Sequence, residues 1–114
     1  MRPSERPSGR IVSQFASDPD MAELVDIFIT ELPDRIASMN AAWNARKVPD
    51  LTRLAHQLRG ASAGYGFPSI GAAAGALEEG LKQLHDPTTQ DSVATLAAEF
   101  RDLLDLCRRA CKRS

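Results

Sequence analysis

Few side chains in this sequence could carry covalent, metal or acid–base chemistry, and they are scattered. There are two histidines, His56 and His85, two cysteines, Cys107 and Cys111, and an adjacent carboxylate pair, Glu78-Glu79. Neighbouring residues on a helix point in different directions, so the two glutamates diverge and do not form a paired-carboxylate site. Cys107 and Cys111 are one helical turn apart and read as small apolar residues on a buried stripe, both as free thiols. The familiar zinc-ligand spacings are absent, so no metal site is expected. His85 precedes Asp86-Pro87 at a helix end, where an imidazole suits the helix dipole. No phosphate-cradling glycine loop is present, so no ATP site is expected.

His56 has a different setting. Leu51, Leu54, Leu58, Ala61 and Tyr65 recur at helical spacing and define a core stripe, and His56 falls nearly opposite it, in solvent. Gly60 follows one turn later, and Ala63 and Gly64 two turns later. An outward helix face is normally filled with long polar side chains. An interior glycine there costs about 0.5–1 kcal/mol relative to alanine, and core packing does not require it. A partner surface that must reach the imidazole would require it. Arg59 lies near His56 on the same side and carries a permanent charge suited to phosphoryl oxygens, and Arg53 also points outward within reach. An exposed imidazole is largely neutral near pH 7 and offers a nucleophilic ring nitrogen, most simply Nε2. Nucleophile, uncluttered approach and nearby cation fit reversible capture of a phosphoryl group from a partner.

The elements that must position these residues are helical throughout. Asp18-Pro19-Asp20 reads as a cap with proline at the first helical position. Leu24, Ile27, Phe28, Leu32, Ile36, Met39 and Trp43 then recur every three or four residues, with Pro33 expected to kink or break the run. Trp43 is expected in the core or at a partner-contacting edge. Asp50 is a plausible cap for the helix carrying His56, which Gly64, Gly66 and Pro68 end. A third stripe runs through Ile70, Ala74, Leu77, Leu81 and Leu84, with Gly71 and Gly75 allowing close helix approach. After a turn at residues 85–89, Val93, Leu96, Ala97, Phe100, Leu103, Leu104 and Cys107 form the last stripe, ending in a basic segment. No segment alternates with period two. The fold class is all-α: an antiparallel up-down four-helix bundle with an additional N-terminal helical segment. Residues 1–17 read as a flexible tail, with Ile11, Val12 and Phe15 able to pack on a domain spanning 18–114.

Composition narrows the classes further. The chain has 114 residues, 43% hydrophobic and 25% charged, with a formal net charge of −1, which suits one domain with its own core. A sequence pI of about 6.1 argues against nucleic-acid binding. No apolar run approaches the length that spans a bilayer, and no secretory signal is recognisable, so a cytoplasmic protein is expected.

The segment Ala55-His56-Gln57-Leu58-Arg59-Gly60-Ala61-Ser62-Ala63-Gly64-Tyr65-Gly66 resembles the signature of histidine-containing phosphotransfer (HPt) domains of bacterial phosphorelays: His, any residue, Leu, Lys or Arg, Gly, then a second Gly. The resemblance covers roughly residues 18–110, including Phe28 to Pro33 and Leu77-Glu78. It implies that His56 is the phosphorylated residue, that Arg59 supplies phosphoryl electrostatics, and that Gly60 lets a receiver domain dock. Gln57 is a possible hydrogen-bond donor to the phosphoryl group. Ala63, Gly64 and Arg53 complete the docking face, although Gly64 departs from the commoner polar residue. Tyr65 is expected to cover the bundle end. The implied partners are response-regulator receiver domains and a histidine or hybrid kinase. The chain is expected as a monomer, with no cofactor of its own and Mg²⁺ on the receiver. It is a carrier more than a stand-alone enzyme. The rival readings are a degenerate interaction module of the same fold without phosphotransfer, and a metal-binding bundle using His56, His85 and the cysteines.

Overall fold

The computed structural model describes residues 11–84 and 93–111. Four helices hold the described core: α1 (Ala22–Asn44), α2 (Val48–Gly64), α3 (Pro68–Lys82) and α4 (Ala97–Cys111). No strand occurs among the described residues. The helices pack in a ring, α1 on α2, α2 on α3, α3 on α4 and α4 on α1, with α2 and α3 in the most extensive contact. His85, the turn around it, residues 1–10 and the end of the basic segment lie outside the described residues.

The core is aliphatic at its centre and aromatic at two edges. Leu32, Met39, Leu51, Leu58, Ile70, Leu77 and Leu103 are fully buried. Phe28 packs on Phe67 at a centroid distance of 5.2 Å and on Tyr65 at 5.5 Å, closing the end where α2 turns into α3. Trp43 stacks on Phe100 at 4.4 Å, tying α1 to α4. Offset aromatic pairs of this kind add about 0.5–1.5 kcal/mol each beyond the area they bury.

Several helix boundaries differ from those read in the sequence. α1 starts at Ala22, with Met21 as its N-cap residue and no side-chain cap. Asp18 instead accepts the Asp20 amide through Oδ1 at 2.9 Å, so its carboxylate closes a turn before the helix. Pro33 lies inside one continuous helix. Its position is exposed, so the carbonyl one turn back that loses its donor can turn to water, while Leu32 and Met39 anchor the opposite face. α2 starts at Val48 with Pro49 in its first turn. Asp50 is therefore a first-turn acid, favourable to the dipole, rather than the cap.

The N-terminal segment is not helical over residues 11–21; it runs through turns and packs onto the bundle. Ser13 explains the difference. Its Oγ donates to the Tyr65 carbonyl (2.6 Å) and accepts the Phe15 amide (2.9 Å), a local alternative to helical bonding. Ile11 donates to the Arg109 carbonyl and Gln14 to the Gly66 carbonyl. Ser13 is buried, so part of the segment read as tail is seated on the domain.

Gly66 is the residue that permits this seating. Its φ is +85°, and a Cβ there would lie 2.5 Å from Ser13 Oγ and 2.9 Å from the Gln14 amide nitrogen. A non-glycine residue in that backbone region costs about 1–3 kcal/mol before any clash. Gly66→Ala is expected to lower the Tm in thermal denaturation by at least about 4 °C. An unchanged Tm would show that the segment is not latched there.

Candidate functional site

The buried face of α2 is not the stripe that its leucines suggest. Leu51, Ala55, Leu58 and Ser62 are buried, whereas Leu54, Ala61 and Tyr65 are only partly covered. The core direction is thus turned toward α3. At about 100° per residue, His56 lies roughly 130° from it rather than opposite. The imidazole is still exposed, 65% by side-chain area, but it leans over the groove between α2 and α3.

Small residues make that groove shallow. A Cβ on Gly71 would meet the Arg59 carbonyl, Ser62 Cβ and the Ala63 amide at 3.5–3.8 Å. Gly75 faces the Arg59 side chain, with its would-be Cβ 3.1 Å from Cδ. One turn on, Glu78 meets His56. Rising positions on α3 meet falling positions on α2, so these two helices run in opposite directions. Residues 71, 75, 78 and 82 share one face of α3 by helical spacing. Glycine at 75 leaves a channel through which Arg59 reaches Glu78.

Glu78 is the centre of the site. Its side chain is only 1% exposed, and its two oxygens bind three partners. Oε2 is 2.9 Å from His56 Nδ1 and 3.0 Å from Lys82 Nζ; Oε1 accepts Arg59 Nη1 at 2.9 Å. The Lys82 hydrogen bond, aided by His56, holds the Glu78 carboxyl below its ordinary value of 4.5, against the opposing effect of burial. An ionised carboxylate only accepts hydrogen bonds. His56 must therefore present Nδ1–H to it, so that in the neutral ring the lone pair is on Nε2, on the ring's other side. That is the nitrogen the sequence reading singled out as nucleophile.

The other candidate residues fall around this centre in two groups. Gly60, Ala63 and Gly64 are exposed, and nothing lies within 4 Å of a Cβ placed on either glycine. The approach beside His56 is therefore open. Gln57 is exposed and lines a groove with Glu31, Asp34, Arg35, Ser38 and Leu54. Arg53 pairs with Asp50 at 3.5 Å. Arg59 shares Glu78 with His56 and is 50% exposed, its guanidinium anchored on that carboxylate. Glu78 and Glu79 do diverge: Glu79 is exposed and bonded by Gln83. Sequence reasoning considered Glu78 only as half of an adjacent carboxylate pair and as part of the family resemblance, not as a partner of His56, and did not single out Lys82. The signal was available, since a glutamate on the same face as Gly71 and Gly75 faces a neighbouring helix and needs donors.

The cysteines stand apart from this site. Neither is in a disulfide. Cys107 is fully buried, and burial pushes its pKa up to about 12, so it is not a thiolate near neutral pH. Among the described residues no group of three or more His, Cys, Asp or Glu side chains could hold a metal ion.

Fold and site together define a helical domain that displays His56, held from beneath by a buried carboxylate and flanked by open small residues. The chain belongs to the Hpt domain family, whose family model matches residues 23–110. Membership associates it with phosphotransfer in two-component signalling, in which Hpt domains interact with receiver domains and kinases. No curated protein and no solved structure matches the chain. No helix among the described residues is long and apolar enough to cross a membrane.

The lowered Glu78 pKa has a direct stability consequence. The unfolded chain binds this proton at higher pH than the folded one, so the ionised carboxylate stabilises the fold above the unfolded pKa. That contribution is lost as pH falls from about 4.5 through the lower folded value. Chemical denaturation across this range is expected to show stability falling with pH, and the slope to be smaller in Glu78→Gln. Equal slopes in both proteins would mean that Glu78 is not held ionised by its partners.

Proposed function

We propose that this domain is a phosphoryl carrier whose acceptor is Nε2 of His56. The single observation that carries the reading is the bond between Nδ1 and the buried Glu78 carboxylate. It fixes the ring's orientation and tautomer and leaves a lone pair facing the open side of α2. A degenerate interaction module would have no use for a tautomer set in this way.

The step needs little from the carrier beyond alignment. The Nε2 lone pair attacks the phosphorus of an aspartyl phosphate on a receiver domain. The N–P bond forms as the bond from phosphorus to the aspartyl oxygen breaks, and the aspartate leaves as its carboxylate. No proton moves, because Nδ1 keeps its hydrogen. The positive charge that develops on the ring faces Glu78. Reversal onto a second receiver's aspartate releases the phosphoryl group; a histidine-kinase pathway is the alternative source. The receiver brings its Mg²⁺, so the domain completes its active site only with its partner and needs no cofactor of its own. Arg59, tethered beside the ring, contributes positive potential at the incoming phosphoryl group. We place this carrier in the cytoplasm, as a monomer, in an up-and-down bundle consistent with the helix ring and the short turn between α1 and α2.

The docking face extends past the small residues of α2. Ile27 and Leu24 on α1 are 48% and 43% exposed, among the large apolar side chains left uncovered. By helical spacing they continue the row of Glu31 and Asp34, which already borders Gln57. Phe28 packs against Tyr65, which sets that level of α1 beside the end of α2.

His56→Gln is expected to retain the circular-dichroism spectrum and to abolish acid-labile, base-stable phosphate uptake from a phosphorylated receiver. Equal uptake by both proteins would refute the assignment. Gly60→Lys, which fills open space on an exposed face, is expected to keep the Tm within a few degrees and slow transfer at least tenfold by blocking approach. Unimpaired transfer would mean that the receiver docks elsewhere.

A further inference from the structure

Lys82 would attract no notice as a surface residue. A cation in the last turn of a helix suits its dipole, and a glutamate four residues earlier is an ordinary partner. Its position here is more specific. Nζ lies 3.0 Å from Glu78 Oε2, the same oxygen that holds His56 Nδ1 at 2.9 Å, while Arg59 occupies Oε1. One nearly buried carboxylate is thus faced by one imidazole and two cations. His56 and Arg59 come from α2 and Lys82 from α3. On α1, Glu31, Asp34 and Arg35 line the groove beside Gln57. Glu79 turns to Gln83, and α4 supplies none of the hydrogen-bond or ion-pair partners of Glu78 found among the described residues.

A lone carboxylate against an imidazole favours the imidazolium form. That form has a proton on both nitrogens and no lone pair to attack with. A carboxylate that must orient the ring therefore also tends to disarm it. Two cations on the same carboxylate oppose this, because protonating the ring would place a third positive charge around one anion.

We propose that Lys82 is a positioning residue for phosphoryl transfer: by sharing Oε2 with the imidazole, it lets Glu78 orient Nδ1–H without driving the ring to imidazolium. The proposal rests on the reading of His56 as acceptor. The lowering of the Glu78 pKa, whose largest cause is the Lys82 hydrogen bond, agrees with this geometry.

The test reads the ring itself and needs no phosphoryl donor, so its failure is separable from a failure of phosphotransfer at His56. The imidazole of His56 is titrated by NMR in the full chain, in Lys82→Met and in Lys82→Arg, with His56→Gln used to tell its signals from those of His85. The midpoint in Lys82→Met is expected to rise by about half a pH unit, the size of removing one nearby, largely solvated charge. Lys82→Arg should keep the original midpoint. The acid limb of the transfer rate from a phosphorylated receiver should move upward with the Lys82→Met midpoint. A role in helix capping alone would leave the titration where it was. An unchanged or lowered midpoint in Lys82→Met, or a rise in Lys82→Arg as large as in Lys82→Met, would overturn the proposal.

Discussion

A carboxylate withdrawn from water must be matched by donors or it gives up its charge. Glu78 meets that condition with a ring nitrogen, a guanidinium and an ammonium drawn from two helices. The arrangement requires α2 and α3 to sit close, at one register, with their facing positions nearly empty of side chains. Gly71 and Gly75 on α3, and the buried Ala55 and Ser62 on α2, provide that closeness. The rotation of α2 toward α3 follows from the same packing, and it moves His56 from the far side of the helix to the lip of the groove. The aromatic cluster of Phe28, Tyr65 and Phe67 and the seated segment around Ser13 hold the turn between the two helices. Core packing and site geometry are therefore one problem in this domain.

The two sides of the His56 ring are served by opposite kinds of surface. Nδ1 meets a nearly buried carboxylate that two cations also hold, where a hydrogen bond is directional and persistent. Nε2 meets a face on which Gly60 and Gly64 leave nothing to obstruct a partner. The helix propensity lost at those glycines is offset elsewhere, in the leucine and phenylalanine packing of the core. An exposed nucleophile of this kind gains nothing from a cleft. On the proposed reading its substrate would be another protein's aspartyl phosphate, and the partner would supply the walls.

Helix count, helix order and the exposure of His56 beside open glycines were legible in the sequence, because apolar spacing and the small-residue surround of His56 are local properties. The outer edges of the elements were less so. Asp18 and Asp50 have the chemistry of caps, but the caps are Met21 and Lys47; what decides is where the core lets the helix begin. Pro33 predicts a kink or a break when read alone, and the apolar contacts of Leu32 and Met39 carry the helix through without a break. The core direction of α2 was misjudged because Leu54 and Ala61 outweigh Ala55 and Ser62 on any hydrophobicity scale. Only the approach of α3 reveals that small residues face the tightest contact. Glu78 was hidden for a related reason. Its imidazole partner is 22 residues away on another helix, and nothing in the local sequence marks a glutamate as buried except the glycines on its own face.

The central claim is that the Glu78 carboxylate, by holding Nδ1–H, decides which ring nitrogen reacts. Phosphorus-31 and nitrogen-15 NMR of the phosphorylated, histidine-labelled domain reads the position of the N–P bond directly. The structure predicts a single Nε2-linked phosphohistidine at His56, with Nδ1 still protonated toward Glu78. An Nδ1-linked phosphoryl group, or one on any other residue, would contradict it.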